Sequence, residues 1–168
     1  MQSVAAVDES VGKVLDYLEE TDEIDNTLIV YTSDQGFFDK RFMYEPTLHT
    51  PLLIRYSPMI RPGSVTDKMA LNLDYGATFL DLTGATKPDD VQGESLLPVM
   101  RGKADDRWRK SIYYHYYKYP DWHMVYKQYG VRTETHKLIT FYGNGFKNNE
   151  MYDLVNDPNE LISLYDLP

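Results

Sequence analysis

The chain has 168 residues, is 42% hydrophobic, carries a formal net charge of -9 at pH 7 and contains no cysteine. That length suits one domain or one and a half, and the hydrophobic content can fill a core. The acidity argues against a nucleic-acid partner, because phosphate backbones are held by clustered Lys and Arg; the missing thiols exclude disulfides, thiolate zinc sites and a cysteine nucleophile.

Val4, Val7, Val11, Val14, Leu15 and Leu18 recur at helical spacing and predict an amphipathic helix over residues 2–20. The segment carries acid early, so it does not read as a signal peptide. No apolar run approaches the length that spans a bilayer, and no membrane partner is expected. The β-branched, apolar run "TLIVYT" predicts a buried strand over 27–32. "TPLLIRYSP", bracketed by Pro51 and Pro58, predicts a second. "RPGS" at 61–64 is a turn, and "DYGATFLDL" predicts a helix over 74–82, with Asp74 as its cap and Gly84 ending it. A short helical turn is expected over 95–100.

Beyond residue 105 the pattern changes. "SIYYHYYKY" and "YGVRTETHKLITFY" read as strands. "EMYDLVNDPNELISLYD" reads as a short strand, a turn at Asn156-Asp157-Pro158 and a final helical turn, with "ELISLYD" as an apolar clamp. Alternating helix and strand in the first part favour a parallel α/β sheet. The second part reads as an antiparallel sheet with little helix. Of the 15 tyrosines, many fall in "YYHYYKYPDWH". Such a run is most often a half-wet sheet face and less often a carbohydrate-stacking platform. His49 is assigned to packing or exposure, and His115 and His136 to the surface.

The first strand ends abruptly in Ser33-Asp34-Gln35-Gly36, with Lys40 soon after. Ligands of parallel α/β sheets bind beyond the carboxyl ends of strands. A carboxylate beside a carboxamide supplies hard oxygen donors suited to calcium or magnesium. Gly36 permits a sharp turn next to a ligand, and Lys40 can bring a point charge to an anion on the metal. On these four residues alone, Ser-Asp-x-Gly after a strand is usually only a turn.

Five blocks in order, "AAVDESVGKVLDYLEE", "NTLIVYTSDQG", "FDKRFMYEPTLHTPLLIRY", "GVRTETHKLITFY" and "EMYDLVNDPNELISLYD", resemble the C-terminal part of bacterial formylglycine-dependent sulfatases. The resemblance implies an alkaline-phosphatase-like fold. Residues 1–104 would belong to its large α/β domain and residues 105–168 to a small α+β domain with an antiparallel sheet and a helix. It implies Asp34 and Gln35 as calcium ligands, Lys40 as the catalytic cation on the sulfate, and a substrate contact from His123 in "YPDWHMV". It implies a sulfated small molecule or glycan as substrate, and a periplasmic or secreted setting for complete relatives. No localisation signal can be read in this chain.

Two departures matter. The family's nucleophile arises from Cys or Ser in C/S-x-P-x-R, and "SPMIRPG" has no residue between serine and proline. The carboxylates that complete the metal site also lack counterparts, so the chain alone is expected to be inactive. Relatives read S-D-Q-G-F-x-L-G-E-H-G-x-F-D-K, whereas "SDQGF" here runs directly into "FDK". The first helix would lie well inside a complete sulfatase, so sheet edges and apolar surface are expected to be open, favouring homo-oligomers. The alternatives are a non-catalytic binding or assembly module on the same scaffold, and a phosphodiesterase-like hydrolase fragment.

Overall fold

The computed structural model describes residues 2–36, 41–120, 122, 124–165 and 167. Helix α1 spans Gln2–Glu20. Its exposed face carries a Glu9–Lys13 pair one turn apart, at 2.6 Å. The chain leaves the helix with the Glu23 and Ile24 amides both donating to the Leu18 carbonyl. The valine stripe that builds the helix stays largely uncovered, with Val4 74% and Val14 58% exposed.

Strands β1 (Ile29–Thr32) and β2 (Leu52–Arg55) form a two-stranded sheet. Its register sets Ile29 opposite Arg55 and Thr32 opposite Leu52. The pairing is antiparallel, which corrects the expected parallel arrangement. Among the described residues of 33–51 the only regular element is the four-residue helix α2 (Glu45–Leu48). A parallel return needs a crossover, usually a full helix lying on the sheet. Here the connection leaves the small sheet, packs elsewhere and re-enters alongside β1. The Asp25 carboxylate, at 2.9 Å from Arg55 Nη2 and 2.7 Å from Ser57 Oγ, ties the strand pair to the turn before it.

Helix α3 (Asp74–Thr83) forms where the sequence places it and ends at Gly84. Gly84 adopts φ 70°, and its amide donates to Asp81 while that of Ala85 donates to Leu80. A side chain would strain that left-handed turn, which is why glycine closes the helix. Helix α4 is the single turn Leu97–Met100. It is held to α3 by the Leu96 amide donating to Thr78 Oγ1, at 2.8 Å.

The second sheet is an antiparallel meander of β3 (Ser111–Tyr116), β4 (Lys127–Thr133), β5 (His136–Gly143) and β6 (Phe146–Asp153), in that order. The expected run 129–142 therefore splits into two strands around Thr133–His136. The core sits on one face of this sheet. Ile139, Phe141 and Tyr152 pack there against Met43, with Phe42, Tyr44 and Leu48 around them. The connection between β1 and β2 thus serves as the lid of the second sheet. Burying one such side chain contributes about 1.5–3 kcal/mol.

Beyond Met100 the described residues include no helix, so the expected small-domain helix and final helical turn are not seen there. The expected apolar clamp is also corrected, because Leu161 and Ile162 are exposed. This segment docks through polar atoms instead. The Leu164 amide donates to the Met151 carbonyl at 2.7 Å, and Glu160 turns inward.

Candidate functional site

The end of β1 is shaped by local hydrogen bonds. Asp34 Oδ1 accepts from its neighbour's amide, Gln35 N, at 2.9 Å, and from Ser33 Oγ at 3.4 Å. Ser33 Oγ also donates to the Gln35 carbonyl at 2.7 Å. From α3 and the turn before it, Asn72 Nδ2 donates to the Asp34 carbonyl at 3.0 Å, and the Tyr75 hydroxyl meets Thr32 Oγ1 at 2.9 Å. The Asp34 side of this turn is exposed, and Gln35 is half-buried.

Gly36 has a different role from the expected one. Its φ is not positive. A Cβ on Gly36 would lie 1.6 Å from the Pro46 carbonyl oxygen and 2.7 Å from its carbon. Glycine is needed for close backbone approach to α2, where Gly36 N–H donates to the Thr47 carbonyl at 2.9 Å.

Asp34 and Gln35 are adjacent and offer hard oxygen donors, the chemistry calcium prefers. They supply only a fraction of the roughly six to eight oxygens calcium takes. Among the described residues no group of three or more His, Asp or Glu could hold a metal. The donor type fits; the donor number falls short. The sequence-derived candidates Lys40 and His123 lie outside the described residues.

The remaining candidates resolve differently. Asp74 is fully buried but is no cap for its own helix. Its Oδ2 accepts from Leu71 N at 2.7 Å and its Oδ1 from Glu94 N at 2.9 Å. Arg109 engages both carboxylate oxygens, with Nη2 to Oδ1 at 2.7 Å. This buried fork ties α3 to the chain entering β3, and nothing in the local sequence signals it. His49 is exposed, as is His136. His115, expected on a plain surface strand, instead sits half-buried among tyrosines. Its Nδ1 meets the Tyr113 hydroxyl at 3.0 Å and its Nε2 the Tyr142 hydroxyl at 2.7 Å. The Tyr117 ring stacks at 3.8 Å between centroids. Tyr114 and Tyr116 of the run face the core side, where both hydroxyls bond Arg41.

A second cluster was not legible as a site. Lys137 is fully buried between two carboxylates, with Nζ 2.8 Å from Glu45 Oε1 and 2.7 Å from Glu160 Oε1. Arg132 forks onto Glu45 at 3.2 Å to each oxygen. Glu160 Oε2 accepts from the Glu45 amide at 2.6 Å. Burial pushes the Glu45 carboxyl up, but hydrogen bonds from Arg132 and Lys137 outweigh it and hold the group below the usual glutamate range. Nearby, the Tyr44 and Tyr152 hydroxyls both donate to Glu150 Oε2, at 2.7 and 2.9 Å. Burial, then the Glu150 carboxylate, push both phenols far up. One parity signal does exist: Lys137, Ile139 and Phe141 alternate onto one face of β5, so the lysine had to point inward with them.

The strand end, the antiparallel meander and the lid between them match proteins of known class. Residues 33–168 match the family described as N-sulphoglucosamine sulphohydrolase, C-terminal, and the chain belongs to that family of sulfatases. Over 98% of its length it is 49% identical to an N-acetylglucosamine-6-O-sulfatase of Bacteroides thetaiotaomicron, while covering 31% of that protein. A solved sulfatase in complex with its substrate, D-glucosamine-2-N,6-O-disulfate, superposes with a TM-score of 0.93 at 48% identity, over 98% of this chain and 35% of the other. A phosphonate monoester hydrolase from Silicibacter pomeroyi superposes with a TM-score of 0.82 at 27% identity, over 96% of this chain and 35% of the other. The chain thus spans about a third of the length of these relatives. The mixed helix-and-strand class with an antiparallel sheet is as expected, and the neighbours share the alkaline-phosphatase-like fold.

Proposed function

We propose that this chain forms the C-terminal part of a sulfuric ester hydrolase acting on a sulfated amino sugar, one carrying a 6-O-sulfate. The observation that carries this reading is the 49% identity, across 98% of the chain, to an N-acetylglucosamine-6-O-sulfatase. The likeness to a phosphonate monoester hydrolase is lower, at 27% identity, which favours sulfuric over phosphonic ester hydrolysis. In this reading residues 1–104 complete a large α/β domain, and residues 105–168 form the small domain.

Asp34 and Gln35 would hold part of a calcium site at the end of β1. Bound calcium supplies electrostatic stabilisation of the negative sulfuryl oxygens. The chain's own part is orientation: the Gln35 amide and Ser33 hydroxyl fix the Asp34 carboxylate, and Asn72 fixes its carbonyl. Lys40 would place a cation on the sulfate, and His123 would contact the sugar. The residues here contain no cysteine and no Ser-x-Pro-x-Arg, so a formylglycine nucleophile must come from outside these 168 residues.

The uncovered valine stripe of α1 and the open two-stranded sheet would dock the remainder of that domain. A second reading, an assembly module that self-associates, draws on the same exposed surface. A chimera tests the proposal: this chain replaces its counterpart in the Bacteroides thetaiotaomicron enzyme. The chimera is expected to release sulfate from N-acetylglucosamine 6-sulfate, and Lys40→Ala in it to lower kcat/KM by about 100-fold. A folded chimera without turnover rejects the reading.

A further inference from the structure

The strand end that carries Asp34 and Gln35 lies past the last ladder pair of its own sheet, Thr32 opposite Leu52, and is held by Asn72 on one side and by α2 on the other. Gly36 is in backbone contact with α2 through Pro46 and Thr47. Helix α2 is in turn gripped by the four-stranded sheet. Its first residue, Glu45, is forked by Arg132 from β4 and ion-paired with Lys137 from β5, and its amide is taken up by Glu160 from beyond β6. The segment just before it is gripped too. Gln128, fully buried in β4, accepts from Met43 N at 3.0 Å and donates to the Arg41 carbonyl at 3.1 Å.

This network is balanced, with two carboxylates against two cations. It is also costly, because each buried ion loses hydration that pairing only partly returns. An apolar contact would serve sheet stability as well. What charges add is a single geometry, since Lys137 must meet both carboxylates and Arg132 both oxygens of Glu45.

We propose that the Glu45–Arg132–Lys137–Glu160 network positions the Asp34–Gln35 strand end, transmitting the placement of the antiparallel sheet through α2 and the Thr47–Gly36 hydrogen bond. Glu45 is the positioning residue. This rests on the reading of Asp34 and Gln35 as metal ligands only for its functional meaning.

The test is amide hydrogen exchange in this chain, compared with Glu45→Ala. That variant removes the grip of Arg132 and Lys137 on α2, keeps the residue-45 amide on Glu160, and leaves Lys137 paired with Glu160 inside the sheet. Exchange at Gly36 is expected to rise about tenfold or more, while amides of β4 and β5 keep their protection. Glu45→Gln, which keeps the shape and part of the bonding, is expected to fall between, and serves if the alanine variant does not fold. Ile139→Val, a core truncation that leaves all four charged side chains of the network in place, is the control: it is expected to raise exchange in the sheet without a selective rise at Gly36. Unchanged exchange at Gly36 in both Glu45 variants overturns the proposal. So does a rise that is equal at Gly36 and in the sheet, since that signals global destabilisation only. A separate arm adds calcium to about 10 mM to the chimera, where the remaining ligands are supplied, and follows the Asp34 to Gly36 amide signals. No response there sinks the metal reading, while the exchange result in this chain decides positioning.

Discussion

Gly36→Ala is the sharpest perturbation this structure offers. The new methyl would sit 1.6 Å from the Pro46 oxygen, far inside any van der Waals contact. The obstacle is backbone, not the end of a flexible side chain, so either the strand end or α2 must move. Overpacking of this kind costs about 1–3 kcal/mol. The movement also breaks Gly36 N–H to Thr47 C=O, which contributes about 1 kcal/mol more. The sum is about 2–4 kcal/mol. With a urea m-value of about 2 kcal/mol/M, the unfolding midpoint is expected to fall by about 1–2 M with m unchanged. Urea titration followed by circular dichroism checks this. A midpoint within about 0.3 M of the parent would refute the claim that glycine is required here for close approach.

Arg109→Met leaves the fully buried Asp74 carboxylate without its cation, and is expected to cost about 3–5 kcal/mol by the same titration; a cost below about 1 kcal/mol would show the fork to be incidental. The pH dependence follows from Glu45, whose carboxyl is held below the ordinary value of 4.5 in the folded chain. Its pairing is therefore fully stabilising above that value and is lost as pH falls through the lower folded one. Glu45→Gln is expected to flatten the fall of stability with acid below pH 4.5, and identical slopes for parent and variant would contradict the assignment. Calcium binding by the chain alone is expected to be about 1 mM or weaker, because Asp34 and Gln35 offer too few oxygens. A micromolar isotherm abolished by Asp34→Ala would refute the partial-site argument.

Local pattern alone specified the elements whose information is contiguous. Valines at helical spacing determined α1, and a glycine able to adopt φ 70° determined where α3 stops. A run of β-branched residues breaking into Ser-Asp-Gln-Gly marked the strand end and its oxygen donors, and block order marked the sulfatase likeness. Pairing direction was not contiguous information. Whether β2 returns parallel or antiparallel to β1 depends on where residues 41–48 find burial, and they find it on Ile139, Phe141 and Tyr152, nearly a hundred residues further along the chain.

The charged interior was decided the same way. Strand parity turns Lys137 inward with Ile139 and Phe141, but nothing local names its partners, and Glu160 reads as part of an apolar tail. Each is buried only because folding brings the other, with Glu45 and Arg132, within hydrogen-bond reach. A buried charge is tolerable only beside its counterion. Sequence can name the ions, but only the tertiary structure can say which of them meet.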